Sequence, residues 1–212
     1  MDFSDFLECI PRIQQEILPA EAAHQKMSPP ERNKMMEDLD LHARNPRQAA
    51  VLMLLYPRNY KTTLVLITRN TYDGVHSAQI AFPGGKVEAT DQSLTETALR
   101  ETEEEIGILR AQITVVRAFS SVYIPPSNFM AHPFLGYSKD ELKFNPDPSE
   151  VAGIIELPLE QFLDDRNSVM EKMATSYSDL ISVPSFKIND HRIWGATAMM
   201  LSELKDVFKR VI

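Results

Sequence analysis

Three carboxylates recur at helical spacing in the segment 100–108, which reads RETEEEIGI. Around a helix, Glu101 and Glu105 lie about 40° apart, and Glu101 and Glu104 lie about 60° apart. Like charges at this spacing destabilise an isolated helix, and acids near its C-terminus oppose its dipole. Taken alone, such a run is more often a solvated helix face. Hard divalent cations such as Mg²⁺ or Mn²⁺ bind oxygen ligands of this kind, usually together with substrate phosphates.

A glycine-containing loop, FPGGK at residues 82–86, precedes this segment. Two adjacent glycines, Gly84 and Gly85, allow the backbone to approach a ligand closely. Lys86 follows them and is interpreted equally well as a phosphate contact or as a solvent-exposed lysine. A lone Gly-Gly pair is weak evidence for a site. The glycine loop followed by the three-carboxylate strip is a more specific pattern.

The helix that carries the carboxylates is the best-specified element of the chain. Ser93 and Glu96 have the Ser-x-x-Glu spacing of a capping box, and Gly107 is placed to end the helix as its C-cap. The spacing therefore predicts a helix within residues 91–107.

Short aliphatic and β-branched runs surround that helix and predict strands. The first two are joined by the polar turn PRNYK and predict a hairpin. The predicted strands cover 49–57, 62–69, 77–82, 113–124, 130–138, 150–158, 185–190 and 192–194, with a short helix at 159–163 and a last amphipathic helix at 195–212. Strands then helix, followed by strands then helix, predicts an α/β (α+β) domain with a mixed sheet between helices.

The first 48 residues have a different texture. Apolar residues from Phe3 to Ile17 recur at spacings of three and four, which indicates an amphipathic helix. We expect Pro11 and Pro19 to begin or interrupt helical pieces, and Pro30 to lie in the first turn of another helix. The sequence predicts a helical extension over 1–48 and a domain over 49–212. The extension has two open roles: capping the pocket or forming a homodimer interface.

The composition excludes several classes of protein. The 212 residues contain 22 Lys and Arg against 30 Asp and Glu, a net charge of −8, which argues against a nucleic-acid polymer as partner. Cys9 is the single cysteine, so neither an intrachain disulfide nor a cysteine-rich zinc site is expected. The sequence contains neither a signal-peptide pattern nor a long apolar run, so we expect a cytoplasmic protein without a membrane segment.

Residues 85–108 resemble the Nudix box. Its pattern is Gly, five residues, Glu, seven residues, then Arg-Glu-apolar-x-Glu-Glu-x-Gly-apolar. The matching residues are Gly85, Arg100, Glu101, Glu104, Glu105, Gly107 and Ile108. Asp91 stands where the first Glu is usual, eight residues rather than seven separate it from Arg100, and Thr102 replaces an apolar residue.

The segment 65–85, VLITRNTYDGVHSAQIAFPGG, resembles a second signature found in the coenzyme A pyrophosphatase branch of that superfamily. Arg69, Gln79 and the run 82–85 fit the signature. Ile67 and Ala78 depart from it. Gly74 stands where a second Arg is usual, and a guanidinium there could bind phosphate through two parallel hydrogen bonds.

The resemblance implies a Nudix fold and a Mg²⁺- or Mn²⁺-dependent hydrolase that cleaves the pyrophosphate bond of coenzyme A or its derivatives. It assigns Glu101, Glu104 and Glu105 to the metal ions and implies that Arg100 orients a box carboxylate. Substrate contacts are expected at Arg69, Gly84, Gly85 and Lys86.

Two candidates for the general base stay open, a box glutamate and Glu150. Glu150 follows a proline loop and begins a strand, and it could equally be an ordinary exposed acid. Two other functions also stay open. One is a Nudix pyrophosphatase for ADP-ribose, NADH or nucleoside triphosphates. The other is a catalytically silent nucleotide sensor.

Overall fold

The computed structural model describes residues 1–37, 39–70, 79–175 and 178–212. The helices are α1 (Phe3–Gln15), α2 (Glu21–His24), α3 (Pro30–Glu37), α4 (Leu41–Arg44), α5 (Leu94–Ile106), α6 (Leu159–Leu163) and α7 (Gly195–Val211). The strands are β1 (Arg47–Arg58), β2 (Lys61–Arg69), β3 (Ile80–Ala81), β4 (Gly84–Lys86), β5 (Thr114–Ala118), β6 (Val122–Ile124), β7 (Phe129–Tyr137), β8 (Val151–Pro158), β9 (Ser168–Thr175), β10 (Ser178–Ile188) and β11 (His191–Trp194).

A mixed eight-stranded sheet forms the centre of the fold. Its main path runs β3-β2-β1-β7-β5, with β1 and β7 parallel and the other pairs antiparallel. The strands β4, β6 and β8 pair with β1, β7 and β2 respectively. A separate antiparallel sheet has the order β11-β10-β9. The predicted mixed sheet between helices is confirmed.

Helices α1 and α7 cover one face of the large sheet. Met53 and Leu55 of β1 are fully buried in the same cluster as Phe6 of α1 and Phe208 of α7. The Phe6 and Phe208 rings stack with centroids 6.1 Å apart. The segment upstream of β1 therefore contributes to the main hydrophobic core.

Helix α5 covers the opposite face. Leu52 and Leu54, which alternate with the residues facing α1 and α7, are fully buried with Ala98 and Ile106 of α5. Alternation along β1 thus divides its side chains between two hydrophobic layers. The layer beneath α5 fixes the rotation of that helix and with it the direction of its carboxylates.

Several details differ from the sequence predictions. The strand expected over 113–124 is divided into β5 and β6, and β10 begins at Ser178, before the predicted start at 185. Pro11 lies inside α1 and does not interrupt it. Its ring is on the exposed side, and burial of Phe6 and Ile13 on the other side offsets the cost of the missing backbone donor. Strand β9 was not predicted, because its register is set by pairing with β10. Within the described residues, no helix has the length and apolarity needed to cross a membrane.

Candidate active site

Helix α5 begins and ends as its sequence predicts. The Ser93 hydroxyl accepts a hydrogen bond from the Glu96 N–H at 3.2 Å. The Glu96 carboxylate accepts from the N–H of Gln92, not of Ser93, so the reciprocal half of the capping box is shifted by one residue. Gly107 adopts φ +73°, and its N–H donates to the Glu103 carbonyl at 3.0 Å. These ends fix the length of the carboxylate strip.

Arg100 forms hydrogen bonds to carboxylates of the strip and to its surroundings. Its Nε and Nη2 donate to the two oxygens of Asp91, each at 2.9 Å. Its Nη1 donates to Glu101 Oε1 and to Glu104 Oε2, both at 2.9 Å, and Nη2 also donates to the Lys86 carbonyl at 3.1 Å. The guanidinium holds the pKa of Asp91 well below its usual range, and Asp91 in turn raises the pKa of Arg100. Arg100 therefore faces protein groups and orients two box carboxylates.

The glycine pair lies in β4, beside β1. Gly84 has φ +149°, and a Cβ there would overlap the Ala50 carbonyl oxygen and the Val51 Cα. A Cβ on Gly85 would overlap the Glu101 carboxylate. Gly84 therefore needs to be glycine because backbone atoms occupy the space of a side chain, whereas a side chain at position 85 would displace the Glu101 carboxylate.

Glu105 is almost completely buried and lies against the same strand. Its Oε2 accepts a hydrogen bond from the Gly84 N–H at 2.8 Å. The Arg69 Nη1 lies 3.1 Å from Oε1, but among the described residues that oxygen has no partner with hydrogen-bond geometry. Burial raises the pKa of Glu105 to about 7, against the opposing effects of Arg69 and the Gly84 N–H.

Glu101 and Glu105 form a carboxylate pair that can accept a cation. Burial also raises the pKa of Glu101, and the charge of Glu101 adds to the raised pKa of Glu105. A divalent cation would reverse both effects. Glu104 is 58% exposed and paired with Arg100, and in the described part of the chain no three His, Cys, Asp or Glu side chains are grouped to hold a metal as they stand. Arg100 thus holds the carboxylates of both Glu101 and Glu104 through one oxygen each.

Glu150 lies near this pair although it is distant in sequence. It occupies the turn before β8, and its carbonyl accepts from the Asn70 N–H at 2.9 Å. Its charge raises the pKa of both Glu101 and Glu105. The side chain is exposed. The fold thus brings the predicted alternative base toward the carboxylates of α5.

A cavity of about 370 Å³ opens beside the glycine strand. All four predicted substrate contacts, Arg69, Gly84, Gly85 and Lys86, line it. The strand register shows that four adjacent strands present one face to this cavity. The lining residues on that face are Gly84 and Lys86 of β4, Ala49 and Val51 of β1, Phe129 and Ala131 of β7, and Ile124 of β6. Small and apolar residues therefore form a flat floor next to the carboxylate pair.

Comparison with known proteins identifies this arrangement. The NUDIX domain family matches residues 46–177, which include β4, α5 and the cavity floor. The chain belongs to the Nudix family. The predicted family is confirmed, and the segment 85–108, which resembles the Nudix box, lies within the matched residues.

Two relatives and one solved structure illustrate the similarity. Nudix hydrolase 15, mitochondrial, from Arabidopsis thaliana is 35% identical over 164 residues, which cover 74% of this chain and 56% of that protein. The human mitochondrial coenzyme A diphosphatase NUDT8 is 32% identical over 157 residues, covering 73% of this chain and 66% of that protein. The chain thus spans slightly more than half of the Arabidopsis protein and just under two thirds of the human one.

The Nudix hydrolase RenU from M. smegmatis matches the fold with a TM-score of 0.55 at 17% identity, over 79% of this chain and 88% of that chain. At this identity the likeness concerns the fold.

Several lining residues of the Nudix cavity were not predicted. Pro29 and Arg32 come from the N-terminal segment, and Trp194 comes from the end of β11. Their positions depend on long-range packing of α3 and α7, for which the sequence has no local signal. Conversely, Gly74 and Ala78 of the second signature lie outside the described residues.

Proposed function

We propose that this Nudix protein hydrolyses the diphosphate bond of coenzyme A or its derivatives, releasing adenosine 3′,5′-bisphosphate and an (acyl-)4′-phosphopantetheine. The main support is that two features, a carboxylate pair and a cavity, both border the glycines of β4. The carboxylate pair of Glu101 and Glu105 lies on one side of the glycines, and the cavity lies on the other. A diphosphate at the glycines would reach both.

The substrate class is supported from the sequence and from one relative. The segment 65–85 carries most of the coenzyme A pyrophosphatase signature, and Arg69 and Gly84 from that segment line the cavity. The human relative is named a coenzyme A diphosphatase. These features favour coenzyme A over the alternatives ADP-ribose, NADH and nucleoside triphosphates.

Glu101, Glu104 and Glu105 would hold a Mg²⁺ or Mn²⁺ ion. When bound, such an ion neutralises the non-bridging phosphate oxygens and lowers the pKa of a water molecule. The buried Oε1 of Glu105, which has no hydrogen-bond partner among the described residues, fits this assignment. Arg100 acts on the same carboxylates as a positioning residue, since its donors are directed at Asp91, Glu101 and Glu104.

The hydrolysis joins a water oxygen to one phosphorus and breaks the bond from that phosphorus to the bridging oxygen, which leaves with the electron pair on the other phosphate. The water proton passes to a carboxylate. Glu150 and the box glutamates are the candidates, because Glu150 influences Glu101 and Glu105 electrostatically and its side chain is exposed. Lys86, also exposed, and Arg69 are suited to neutralise the phosphates.

The remainder of the cavity is suited to the nucleoside. Its described lining includes four aromatic residues, of which Trp194 and Phe129 are partly exposed, and a purine can stack on such a ring. Location in the cytoplasm stays a prediction of the sequence.

The direct test is hydrolysis of coenzyme A with Mg²⁺ or Mn²⁺, compared with ADP-ribose, NADH and ATP. We expect the highest kcat/KM for coenzyme A, with adenosine 3′,5′-bisphosphate as product. A higher value for ADP-ribose or NADH would reject the substrate assignment. Ligand-dependent stabilisation without turnover of any substrate would support the sensor function instead.

The metal assignment has a matched pair of variants on one helix. Glu105→Gln should abolish turnover, whereas Glu103→Gln should leave it near the wild-type rate. Glu103 is on the same helix but pairs with Arg110 on the protein surface. Unaltered activity of Glu105→Gln would refute the assignment of Glu105 to the metal.

A further inference from the structure

The N-terminal helical segment forms part of the cavity wall. Pro29 and Arg32, at the start of α3, line the same cavity as the glycine strand. Both precede residues 46–177, where the Nudix family match lies. Part of the cavity wall of this chain is thus formed by a segment outside the residues that the family matches.

Arg32 is held in a defined position on that wall. Its Nη2 donates to the Tyr123 carbonyl at 2.7 Å, and its Nη1 donates to the Ser28 hydroxyl at 3.4 Å. The side chain is half-buried, and Tyr123 also lines the cavity. Arg32 is therefore an ordered guanidinium and not a freely moving surface group.

The sheet register shows where Arg32 lies relative to the glycines. Tyr123 belongs to β6, and the strands are adjacent in the order β4, β1, β7, β6. Three interstrand spacings separate β4 from β6, a distance of about 14 Å across the floor. Arg32 and the glycine strand thus mark opposite edges of the binding surface.

The charges of the described lining residues are all of one sign. They include Arg32, Arg69 and Lys86, and no Asp or Glu is among them, in a chain whose net charge is −8. The Arg69 guanidinium lies 3.1 Å from the Glu105 carboxylate, and Lys86 belongs to the glycine strand. Of these three residues, Arg32 alone lies at the edge of the binding surface opposite the glycine strand. The surface is suited to a ligand with two separate anionic groups.

We propose that Arg32 determines specificity by binding the ribose 3′-phosphate of the substrate while the diphosphate lies at the glycine strand. The proposal rests on the proposed coenzyme A hydrolysis. It assigns to the N-terminal segment a guanidinium contact with phosphate, in a chain whose sequence has Gly74 where the family signature has its second Arg. Dephospho-coenzyme A, which has the same diphosphate and no 3′-phosphate, would not engage Arg32.

The first test compares coenzyme A with dephospho-coenzyme A in the wild type, in Arg32→Gln and in Lys34→Gln. Lys34 is exposed on the same helix and is not among the described lining residues, so its variant controls for loss of one positive charge. We expect Arg32→Gln to lower kcat/KM for coenzyme A about tenfold or more, the effect of losing a charge-assisted hydrogen bond, and for dephospho-coenzyme A less than about twofold. Lys34→Gln should behave as wild type on both substrates.

A binding measurement separates this proposal from the catalytic one. Trp194 is the one tryptophan of the chain and lines the cavity, so its fluorescence reports occupancy. Wild type should bind adenosine 3′,5′-bisphosphate about tenfold more tightly than AMP, and Arg32→Gln should bind both alike.

Equal losses on both substrates, or no loss, would overturn the role of Arg32 while leaving coenzyme A hydrolysis intact. A wild type that hydrolyses neither coenzyme would refute the proposed function. The binding ratio would still decide whether Arg32 recognises the phosphate.

Discussion

Arg100 and Asp91 form a bidentate ion pair, in which the Arg100 Nε and Nη2 each lie 2.9 Å from a different oxygen of the Asp91 carboxylate. The Asp of this pair lies one residue farther from Arg100 than the Glu of the usual Nudix box. The shorter side chain and the extra loop residue still place a carboxylate against the guanidinium. The Thr97 hydroxyl and the Glu88 N–H add hydrogen bonds to the same Asp91 oxygen.

Replacing Asp91 should therefore destabilise the fold and misplace the box carboxylates. The Asp91 and Arg100 side chains are 2% and 9% exposed, so Asp91→Asn leaves a buried guanidinium with less compensation. We expect a loss of about 3 kcal/mol in the free energy of unfolding. Urea denaturation measures it, with Glu88→Gln in the same loop as control at an exposed position. A loss no larger than that of the control would show that the ion pair is not stabilising.

The same pair has a defined pH dependence. Because the pKa of Asp91 is lowered in the folded state, its stabilisation is present above the unfolded-state pKa near 4 and is lost as the pH falls below it. The difference in melting temperature between wild type and Asp91→Asn should be constant from pH 7 to 5 and shrink in stronger acid. A difference that shrinks already between pH 7 and 5 would contradict this origin.

Gly85→Ala tests the contact between β4 and α5. An alanine Cβ would occupy the position of the Glu101 carboxylate, which must then move away from Glu105. A displacement of about 1 Å at a reacting centre can cost about a hundredfold in rate. We expect a loss of kcat/KM of that order and weaker activation by Mg²⁺.

Gly153→Ala is the matched control, since no atom of the described residues lies within 4 Å of a Cβ at that position. Its activity should stay within about twofold of wild type. Similar activities of the two alanine variants would mean that Glu101 does not need its position on Gly85.

Much of this site follows from local sequence, and the rest depends on distant contacts. The strip of Glu101, Glu104 and Glu105 follows from helical spacing, which fixes relative positions along one element. The positions of Arg32 and Trp194 depend on how α3 and α7 pack, and sequence periodicity carries no distance between separate elements. The sequence also did not show that Arg100 would bind Glu101 and Glu104 together, because side-chain rotamers decide which carboxylates a guanidinium reaches.

Glu105 should give the metal-free protein an unusual loss of stability with rising pH. Its folded-state pKa is about 7, above the ordinary value of 4.5, so the folded state binds more protons between these values. The free energy of unfolding should therefore fall between pH 4.5 and 7, by about 3 kcal/mol from this residue.

Thermal unfolding in EDTA at pH 5 and pH 8 measures this effect. Glu105→Gln cannot ionise, so its stability relative to wild type should increase with pH. The Arg69 contact is part of the same balance, because Arg69 already lowers the folded-state pKa of Glu105 against the effect of burial. A wild-type-minus-variant difference that is independent of pH would refute the raised pKa. Mg²⁺ at pH 8 should stabilise wild type and leave Glu105→Gln unchanged.

The fluorescence of Trp194 in the wild-type protein should change when a nucleotide binds. Stacking of adenine on its indole would quench its emission as AMP or adenosine 3′,5′-bisphosphate is added. Loss of such stacking costs about 1–3 kcal/mol, so Trp194→Leu should weaken nucleotide binding about tenfold or more, measured by calorimetry. Ribose 5-phosphate, which lacks a base, is the control ligand and should bind wild type and variant alike. Equal affinity of both proteins for AMP would exclude the stacking role.

Helix α1 should unfold together with the Nudix domain. The Phe6 ring is fully buried, with its centroid 6.1 Å from that of Phe208 and 6.0 Å from that of Tyr137. Phe6→Ala should cost about 3–5 kcal/mol, measured by urea denaturation. Ile17→Ala, at a position that is 81% exposed, should stay within about 0.5 kcal/mol of wild type.

The shape of the same denaturation curves tests the predicted division at residue 48. A separable extension would detach first, and circular dichroism would then show a transition before the fluorescence of Trp194 changes. A shared core instead requires the two signals to coincide, in wild type and in Phe6→Ala alike. We expect coincidence, because Phe6 and Phe208 belong to one buried cluster with Met53 and Leu55 of β1.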